Sequence, residues 1–424
     1  MTDAPSADKP VFSYYGDDFT GSTDALEALA LNGVGTVLFL KTPDDADLRR
    51  FSHCKAVGIA GDSRSRTPGW MDKHLPPIFG RLREIGAPVV QYKVCSTFDS
   101  SPSTGSIGRA LKIGLDVFGG RWAPVVPAAP LLRRYVLFGN MFAAGDGAIH
   151  RIDRHPTMKL HPVTPMDESD LRLHLSRQTE LPIALADLLS IRNGTPSIPE
   201  EARAVIFDGL EPADSVRTAE ILCETQSQPQ IFAVGSSGFT HGMLQYWRSR
   251  GWIPEPAPCT PPERTGRLLV LSGSCSPATA RQIQTALRAG FHGIRLNPAK
   301  PSWPDAQREA VRELAAGRSV ILYTALGPED CAEVPDRQDL AISMGRLLES
   351  VIRETQVTRA VVAGGDTSSH AIRKLNLTAL TFAAPLAKGA PLCRAHGWDG
   401  ALELVLKGGQ MGSDDFFEKV MSWA

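Results

Sequence analysis

The sequence predicts an α/β protein of two domains, each built on a largely parallel sheet flanked by helices. Short apolar, β-branched runs alternate with helix-length segments along the whole chain, the pattern of strand and crossover-helix units. Most of these runs end in clusters of glycine, serine, threonine or aspartate, as strands do at the binding edge of an open α/β sheet. One stretch breaks the alternation: residues 254–266 (PEPAPCTPPERTG) hold five prolines and can form neither a helix nor an inner strand. The expected organisation is a first domain over 1–253, a linker over 254–266 and a second domain over 267–424.

Composition narrows the partners. A chain of 424 residues with 42% hydrophobic content can bury the cores of two or three domains. Lys plus Arg (45) nearly balance Asp plus Glu (46), so no global field draws nucleic acid or an anionic membrane, and neither is expected as a partner. An anionic ligand must then be held by a local site. The opening MTDAPSADKP lacks the basic and apolar regions of a signal peptide, and no run approaches a membrane span, so the cytoplasm is the default location. Seven scattered cysteines without a CxxC pair read as reduced thiols.

The first element is Phe12–Asp24 (FSYYGDDFTGSTD). Val11, Phe12, Tyr14 and Tyr15 suit a strand, and Ser22, Thr23 and Asp24 are candidate caps for the helical run Ala25–Leu31. Asp17 and Asp18 then stand at a strand's carboxyl end, as a paired-carboxylate site or as two turn aspartates. Strands are expected at 35–40, 55–60 and 89–93, with a helix in the later part of 68–86. The second of these strands runs into residues 62–66, which include Arg64. The third runs into residues 93–101. Right-handed crossovers put parallel strand ends on one edge, so the clusters at 17–18, 62–66 and 93–101 are expected to converge.

Residues 105–118 read as a helix opened by Gly105 and Ser106, and Trp122–Leu132 as an irregular or strand segment broken by prolines. The loop 148–166 concentrates His150, Arg151, Arg154, His155, Lys159 and His161. Arg151 and Arg154 could grip a carboxylate or phosphate with two-point contacts; the alternative is a solvated surface loop. The histidines are not spaced as metal ligands on one helix face, and no metal site is assigned. Strands follow at 182–186, 204–207 and 230–234.

In the second domain, the strand 267–271 leads into Ser272-Gly273-Ser274-Cys275-Ser276-Pro277 and a helix over 278–289. Strands at 293–297 and 319–324 and a helix at 340–354 continue the pattern. The strand 359–363 then runs into Gly364-Gly365-Asp366-Thr367, and the strand 401–406 into the turn 407–413, with a last helix from 414. Two glycine-rich exits and one serine-rich exit present backbone N–H groups suited to a nucleotide's phosphates.

Several chemistries are excluded. There is no GxxxxGK[ST], no strand followed by GxGxxG, and the Asp17-Asp18 pair is adjacent, whereas a haloacid-dehalogenase-type phosphatase needs acids two apart. A two-domain phosphotransferase fits: one domain holds an anionic hydroxylated substrate, the other ATP, with the active site in the cleft between them. Phosphoryl transfer needs positioning, charge neutralisation by Mg²⁺ and cations, and a carboxylate for the attacking hydroxyl.

GDDFTGSTD at 16–24, KVCSTFDSSPSTGSIG at 93–108, HPVTPM at 161–166, LSGSCSPAT at 271–279, VVAGGDTSS at 361–369 and LKGGQMGSDDFF at 406–417 resemble the four-carbon acid sugar kinase family, in order and over nearly the full chain. The resemblance implies an N-terminal sugar-acid domain, a C-terminal ATP domain, and transfer to a terminal hydroxyl of 3-oxo-tetronate, threonate or erythronate. It implies catalytic or substrate roles for Asp17, Asp18 and Lys93, substrate contacts at Ser96, Thr97 and Asp99, and ATP contacts at Ser274, Gly364, Gly365, Asp366, Thr367, Gly408, Gly409 and Gly412; Arg64, from the cluster at 62–66, is a further candidate for the substrate. The expected partners are the sugar acid and ATP with Mg²⁺, and a homodimer is the self-association that fits. Where many members read ADDFTGA, this chain has Gly16 and Ser22, and it has Asp366 where 3-oxo-tetronate kinases read GGET. With its longer cationic loop, it also resembles members associated with apiose breakdown, which act on the branched 3-oxo-isoapionate, the close alternative substrate. A regulatory protein that binds the acid without catalysis is the alternative from another class.

Overall fold

A computed structural model describes residues 9–145, 147–161, 163–225, 228–256, 258–259, 262–330, 337–364 and 371–422. The chain divides into two units, one of Met1–Thr36 and Thr42–Pro256, the other of Val37–Lys41 and Ala257–Ala424. Along the first eleven strands, β1 is Phe12–Gly16, β2 Thr36–Phe39, β3 Ala56–Ala60, β4 Val89–Lys93, β5 Ala123–Val126, β6 Arg134–Leu137, β7 Asn140–Gly145, β8 Ala148–Arg151, β9 Ile183–Ala186, β10 Ala204–Phe207 and β11 Ile231–Gly235. The remainder are β12 Leu269–Ser272, β13 His292–Arg295, β14 Val320–Tyr323, β15 Arg359–Ala363, β16 Ala379–Ala387, β17 Ala390–His396 and β18 Glu403–Lys407.

The sheet of the first unit runs β3-β1-β4-β11-β5-β10-β9, parallel throughout. Strand β1 is buried at all five positions, as its near-continuous apolar sequence requires of a parallel strand covered on both faces. Its register sets Gly16 beside Ala60 on one side and Lys93 on the other. The three polar strand exits therefore lie side by side. The rings of Tyr15 and Tyr92 stack at 5.8 Å, and that of Phe79 meets each edge-on. Residue 61 must be glycine here, because a Cβ would come within 2.1 Å of the Tyr15 hydroxyl.

Three local expectations shift. The helix after β1 is Phe19–Leu31, capped by Asp18 and not by Ser22, Thr23 or Asp24. The Ser22 and Thr23 hydroxyls instead donate back to the carbonyls of Asp18 and Thr20. The helix Pro68–Ile85 spans its whole segment and carries Pro76 and Pro77 inside it, between a Thr67 cap and Gly86 at φ 77°. The cationic stretch is only partly loop, since β8 joins β6 and β7 in a separate antiparallel sheet.

In the second unit the order is β13-β14-β12-β15-β18-β17-β16-β2. The first five strands are parallel, whereas β17, β16 and β2 are antiparallel to their neighbours. The β16–β17 hairpin was not anticipated, and Val37–Lys41 joins this unit although it lies far away in sequence. Buried Arg359 ties the unit together: Nε and Nη2 hold Glu403 at 2.8 and 2.6 Å, Nη1 donates to the Val420 carbonyl and Nη2 to that of Glu263. Cys54, Cys95, Cys223, Cys259 and Cys393 are free thiols, but Cys275 is disulfide-bonded, so the expectation of reduced thiols throughout does not hold. Among the described residues no helix is long and apolar enough to cross a membrane.

Candidate active site

In the first unit the site begins where β1 stops. The Asp17 N–H donates to the Lys93 carbonyl at 3.0 Å, and its carbonyl accepts from the Arg64 N–H at 3.1 Å. These bonds fix the backbone of all three exits and bring one guanidinium onto two carboxylates. Arg64 Nη2 and Nε donate to Asp17 Oδ1 and Oδ2 at 3.0 and 3.2 Å, while Nη1 stands 2.8 Å from Asp18 Oδ2. Such charge-assisted, two-point contacts hold both partners in one geometry.

The two aspartates are not equivalent. Asp18 accepts the Gly21 N–H on Oδ1 at 2.6 Å and Arg64 on Oδ2, so each oxygen already serves the helix cap or the cation. Asp17 is buried and each of its oxygens accepts one bond from Arg64, so unlike Asp18 it serves no helix amide. Burial pushes the Asp17 carboxyl up to about 6; Arg64 opposes the rise and Asp18 adds to it. Burial alone would weaken the Arg64 charge, but Asp17 and Asp18 raise it well above the ordinary value.

Lys93 is buried at the end of β4, 3.2 Å from Asp24 Oδ2 and donating to the Val94 carbonyl. Gly21 lets it approach: a Cβ there would sit 3.3 Å from Lys93 Nζ and 2.6 Å from Asp18 Oδ1. In the loop after β4, the Thr97 hydroxyl donates to Asp99 Oδ1 at 2.5 Å. Thr164 reaches Asp99 Oδ2 at 3.2 Å and lies 3.0 Å from His161 Nδ1. Burial would raise the Asp99 carboxyl, yet Arg64, the Thr97 hydroxyl and His161 hold it below its usual range. Ser96 is half-buried in the same loop. Gly105 closes the loop onto the Arg64 turn at φ 62°, where a Cβ would strike the Arg64 carbonyl at 2.4 Å.

Arg151 and Arg154 are not drawn into this cluster. The Arg151 fork closes on Asp153, at 2.8 and 2.6 Å, and Arg154 is exposed on the next turn. From the cationic stretch it is Thr164 and His161 that reach Asp99. A cation missed by sequence reasoning is Arg134 on β6. Its Nη1 donates to the carbonyls of Leu132, Arg133 and Ala144, while its buried Nε has no partner. Burial lowers its pKa, and the Cys95 thiol of the site loop partly offsets this. Only the Arg133-Arg134 doublet marked it in sequence, without telling which arginine turns inward.

In the second unit the ends of β12, β15 and β18 adjoin. The Gly273 N–H donates to the Ala363 carbonyl at 3.1 Å, and the Gly364 N–H to that of Lys407 at 2.8 Å. The Ser274 hydroxyl accepts the Ser276 N–H, and Ser276 caps the helix Pro277–Arg288. Gly409 packs against both serines, where a Cβ would lie 2.7 Å from Ser274 Oγ and 3.0 Å from Ser276 Cβ. The turn 408–413 is tied inward by its carbonyls. Thr279 Oγ1 donates to Gly409 at 2.8 Å, and Gln282 Nε2 to Met411, Gly412 and Ser413 at 2.9, 3.0 and 3.0 Å. Among the described residues, the amides of Gly409, Gln410, Gly412 and Ser413 donate to no protein group. Gly364 and Gly412 have positive φ, 115° and 83°. Gly365, Asp366 and Thr367 lie outside the described residues.

Residues 12–243 match the family described as a sugar-binding N-terminal domain, and residues 269–417 that described as a nucleotide-binding C-terminal domain. A 3-oxo-isoapionate kinase of Paraburkholderia graminis is 44% identical, covering 97% of this chain and 94% of its own. A 3-oxo-tetronate kinase of Methylobacterium radiotolerans is 30% identical, with 96% and 97% covered. A solved structure from Salmonella typhimurium LT2 shares the fold at a TM-score of 0.76 and 22% identity, covering 96% of this chain and 98% of that one. A Haemophilus influenzae protein does so at 0.73 and 23%, with the same shares covered. The chain belongs to the four-carbon acid sugar kinase family.

Proposed function

We propose that this protein transfers the γ-phosphoryl group of ATP to a hydroxyl of a small sugar acid, with Asp17 as the base that orients and deprotonates the acceptor. The observation that carries this reading is the Arg64 bridge between Asp17 and Asp18. It leaves one carboxylate fixed as a helix cap and the other buried, oriented and near neutrality. Lys93, committed to Asp24, supplies a fixed positive charge beside them. Arg64, Ser96, Thr97 and Asp99 line the acid's site. Arg134 offers its free Nε edge to the carboxylate, a role the paired Arg151 fills less well.

In the second unit, Ser274, Gly364, Gly408, Gly409 and Gly412 form the phosphate cradle, and Gly365, Asp366 and Thr367 belong to the same reading. Transfer then requires the γ-phosphate to reach the hydroxyl held by Asp17. Mg²⁺ enters with ATP to neutralise phosphate charge. With ATP as donor, the cytoplasm is the proposed compartment.

For the acid, 44% identity to a 3-oxo-isoapionate kinase, against 30% to a 3-oxo-tetronate kinase, supports the branched substrate. The test is ADP release with 3-oxo-isoapionate, 3-oxo-tetronate, threonate and erythronate. A higher kcat/KM for 3-oxo-isoapionate is expected. A preference for an unbranched acid overturns the substrate assignment, and acid binding without ADP release favours the non-catalytic alternative.

A further inference from the structure

Lys407 ends β18 directly before the phosphate turn, and its side chain is fully buried. Its ammonium donates to Thr279 Oγ1 at 3.0 Å, to the Gly408 carbonyl at 3.0 Å and to the Gly409 carbonyl at 3.5 Å. Among the described residues, the surrounding elements bring no ionisable group to it. The helix Pro277–Arg288 presents Thr279, the helix Phe416–Ser422 presents the Phe416 ring at 5.8 Å, and β15 places Ala363 in register beside it. Among the described residues, then, this buried cation has three neutral acceptors and no carboxylate. Leaving an ammonium in such a place is costly unless an anion completes it.

The hydrogen bonds also have a direction. Lys407, Thr279 and Gln282 together draw in the carbonyls of Gly408, Gly409, Met411, Gly412 and Ser413. With those carbonyls turned inward, the unpaired amides of the turn face the other way, as in a backbone anion nest. We propose that Lys407 is the fixed cation of the nucleotide site: its ammonium orients the 408–413 turn and places a positive charge behind the amides that receive the polyphosphate. This rests on the reading of the second unit as the ATP-binding half. Burial supports it by pushing the Lys407 ammonium down to about 8, so an arriving polyphosphate restores a charge the free protein partly gives up under alkaline conditions.

The test uses the full chain and calorimetric titration with adenosine, ADP and ATP in the presence of Mg²⁺, in two buffers of different ionisation enthalpy near pH 8.5. Wild type should take up protons on binding ATP, and more weakly or not at all on binding adenosine. Lys407→Met should keep adenosine affinity, lose roughly 10- to 100-fold for ATP, as expected when a buried charge and the bonds that orient the turn are removed together, and lose the proton uptake. Lys407→Arg should recover most of the ATP affinity. Unchanged ATP affinity in Lys407→Met overturns the inference alone. A wild type that binds no nucleotide overturns the ATP-binding reading and the inference with it. If Lys407→Met fails to fold, wild type decides: ATP binding without proton uptake across about pH 7.5–9 overturns the inference.

Discussion

Gly16 and Ser22 compete for one space: a Cβ on residue 16 would lie 2.0 Å from Ser22 Oγ, the hydroxyl that donates to the Asp18 carbonyl at 2.6 Å. The pair accounts for the departure from ADDFTGA, because alanine at the first position leaves no room for serine at the second. Gly16→Ala alone should destabilise by about 1–3 kcal/mol through overpacking. Ser22→Ala should cost about 1 kcal/mol or less, since the Asp18 carbonyl still accepts the Ser22 N–H. The double variant should recover part of the loss, because the Cβ of residue 22 that alanine keeps would still lie 2.9 Å from the added methyl. Urea unfolding of the four proteins measures the coupling, and additive effects would contradict the steric account.

Asp17 should govern the acid limb of activity. The base must be ionised, so kcat/KM for the acid should fall as pH drops through about 6. Asp17→Asn should lower kcat by about 10²–10⁴ and remove that limb. The sign for stability is opposite. The folded chain binds this proton more tightly than the unfolded one, so Asp17 favours the fold below its ordinary value of 3.8 and loses that contribution as pH rises through about 6. Relative to wild type, the Asn variant should gain stability over that rise. A wild-type pH-rate profile flat down to pH 5 would overturn the raised Asp17 value, and near-wild-type kcat in Asp17→Asn would remove Asp17 as the base.

The arginines should separate by partner. Arg134→Met removes a half-buried guanidinium whose buried Nε has no partner and should raise the KM for the acid about 10-fold or more while leaving that for ATP near wild type. Arg151→Ala breaks a half-exposed pair with Asp153 and should change the acid's KM less than about threefold. Steady-state kinetics with each substrate varied decides it. The reverse ranking would restore the cationic loop as the carboxylate anchor.

What was legible follows from which interactions are local. The exits of β1, β3 and β4, and of β12, β15 and β18, could be placed together because parallel topology fixes an edge and small polar residues mark it. The cap was misplaced because Asp18, Ser22, Thr23 and Asp24 are all good N-cap types. The choice fell to tertiary bonds from Arg64. The β16–β17 hairpin was hidden because ALTFAAPLA is held as a strand by its two neighbours and not by alternation or propensity. Lys407 and Arg134 were passed over for a common reason. A cation's burial, and its lack of an acid partner among the described residues, are properties of the packing around it and leave no mark on spacing.

The turn 408–413 gives the last prediction. Gln282 holds three successive carbonyls with one amide nitrogen, so Gln282→Leu keeps the bulk and releases all three. The freed turn should rotate its amides off the phosphates, raising the KM for ATP about 10-fold with little change for the acid. Gly412→Ala acts on the same turn from outside. At φ 83° a side chain costs about 1 kcal/mol or more, and its Cβ would meet Phe416 Cδ2 at 2.5 Å. Both variants should therefore weaken ATP, and only the second should also lower the melting temperature appreciably. If either raises the KM of the acid alone, the turn belongs to the acid's site and the assignment of the two half-sites is reversed.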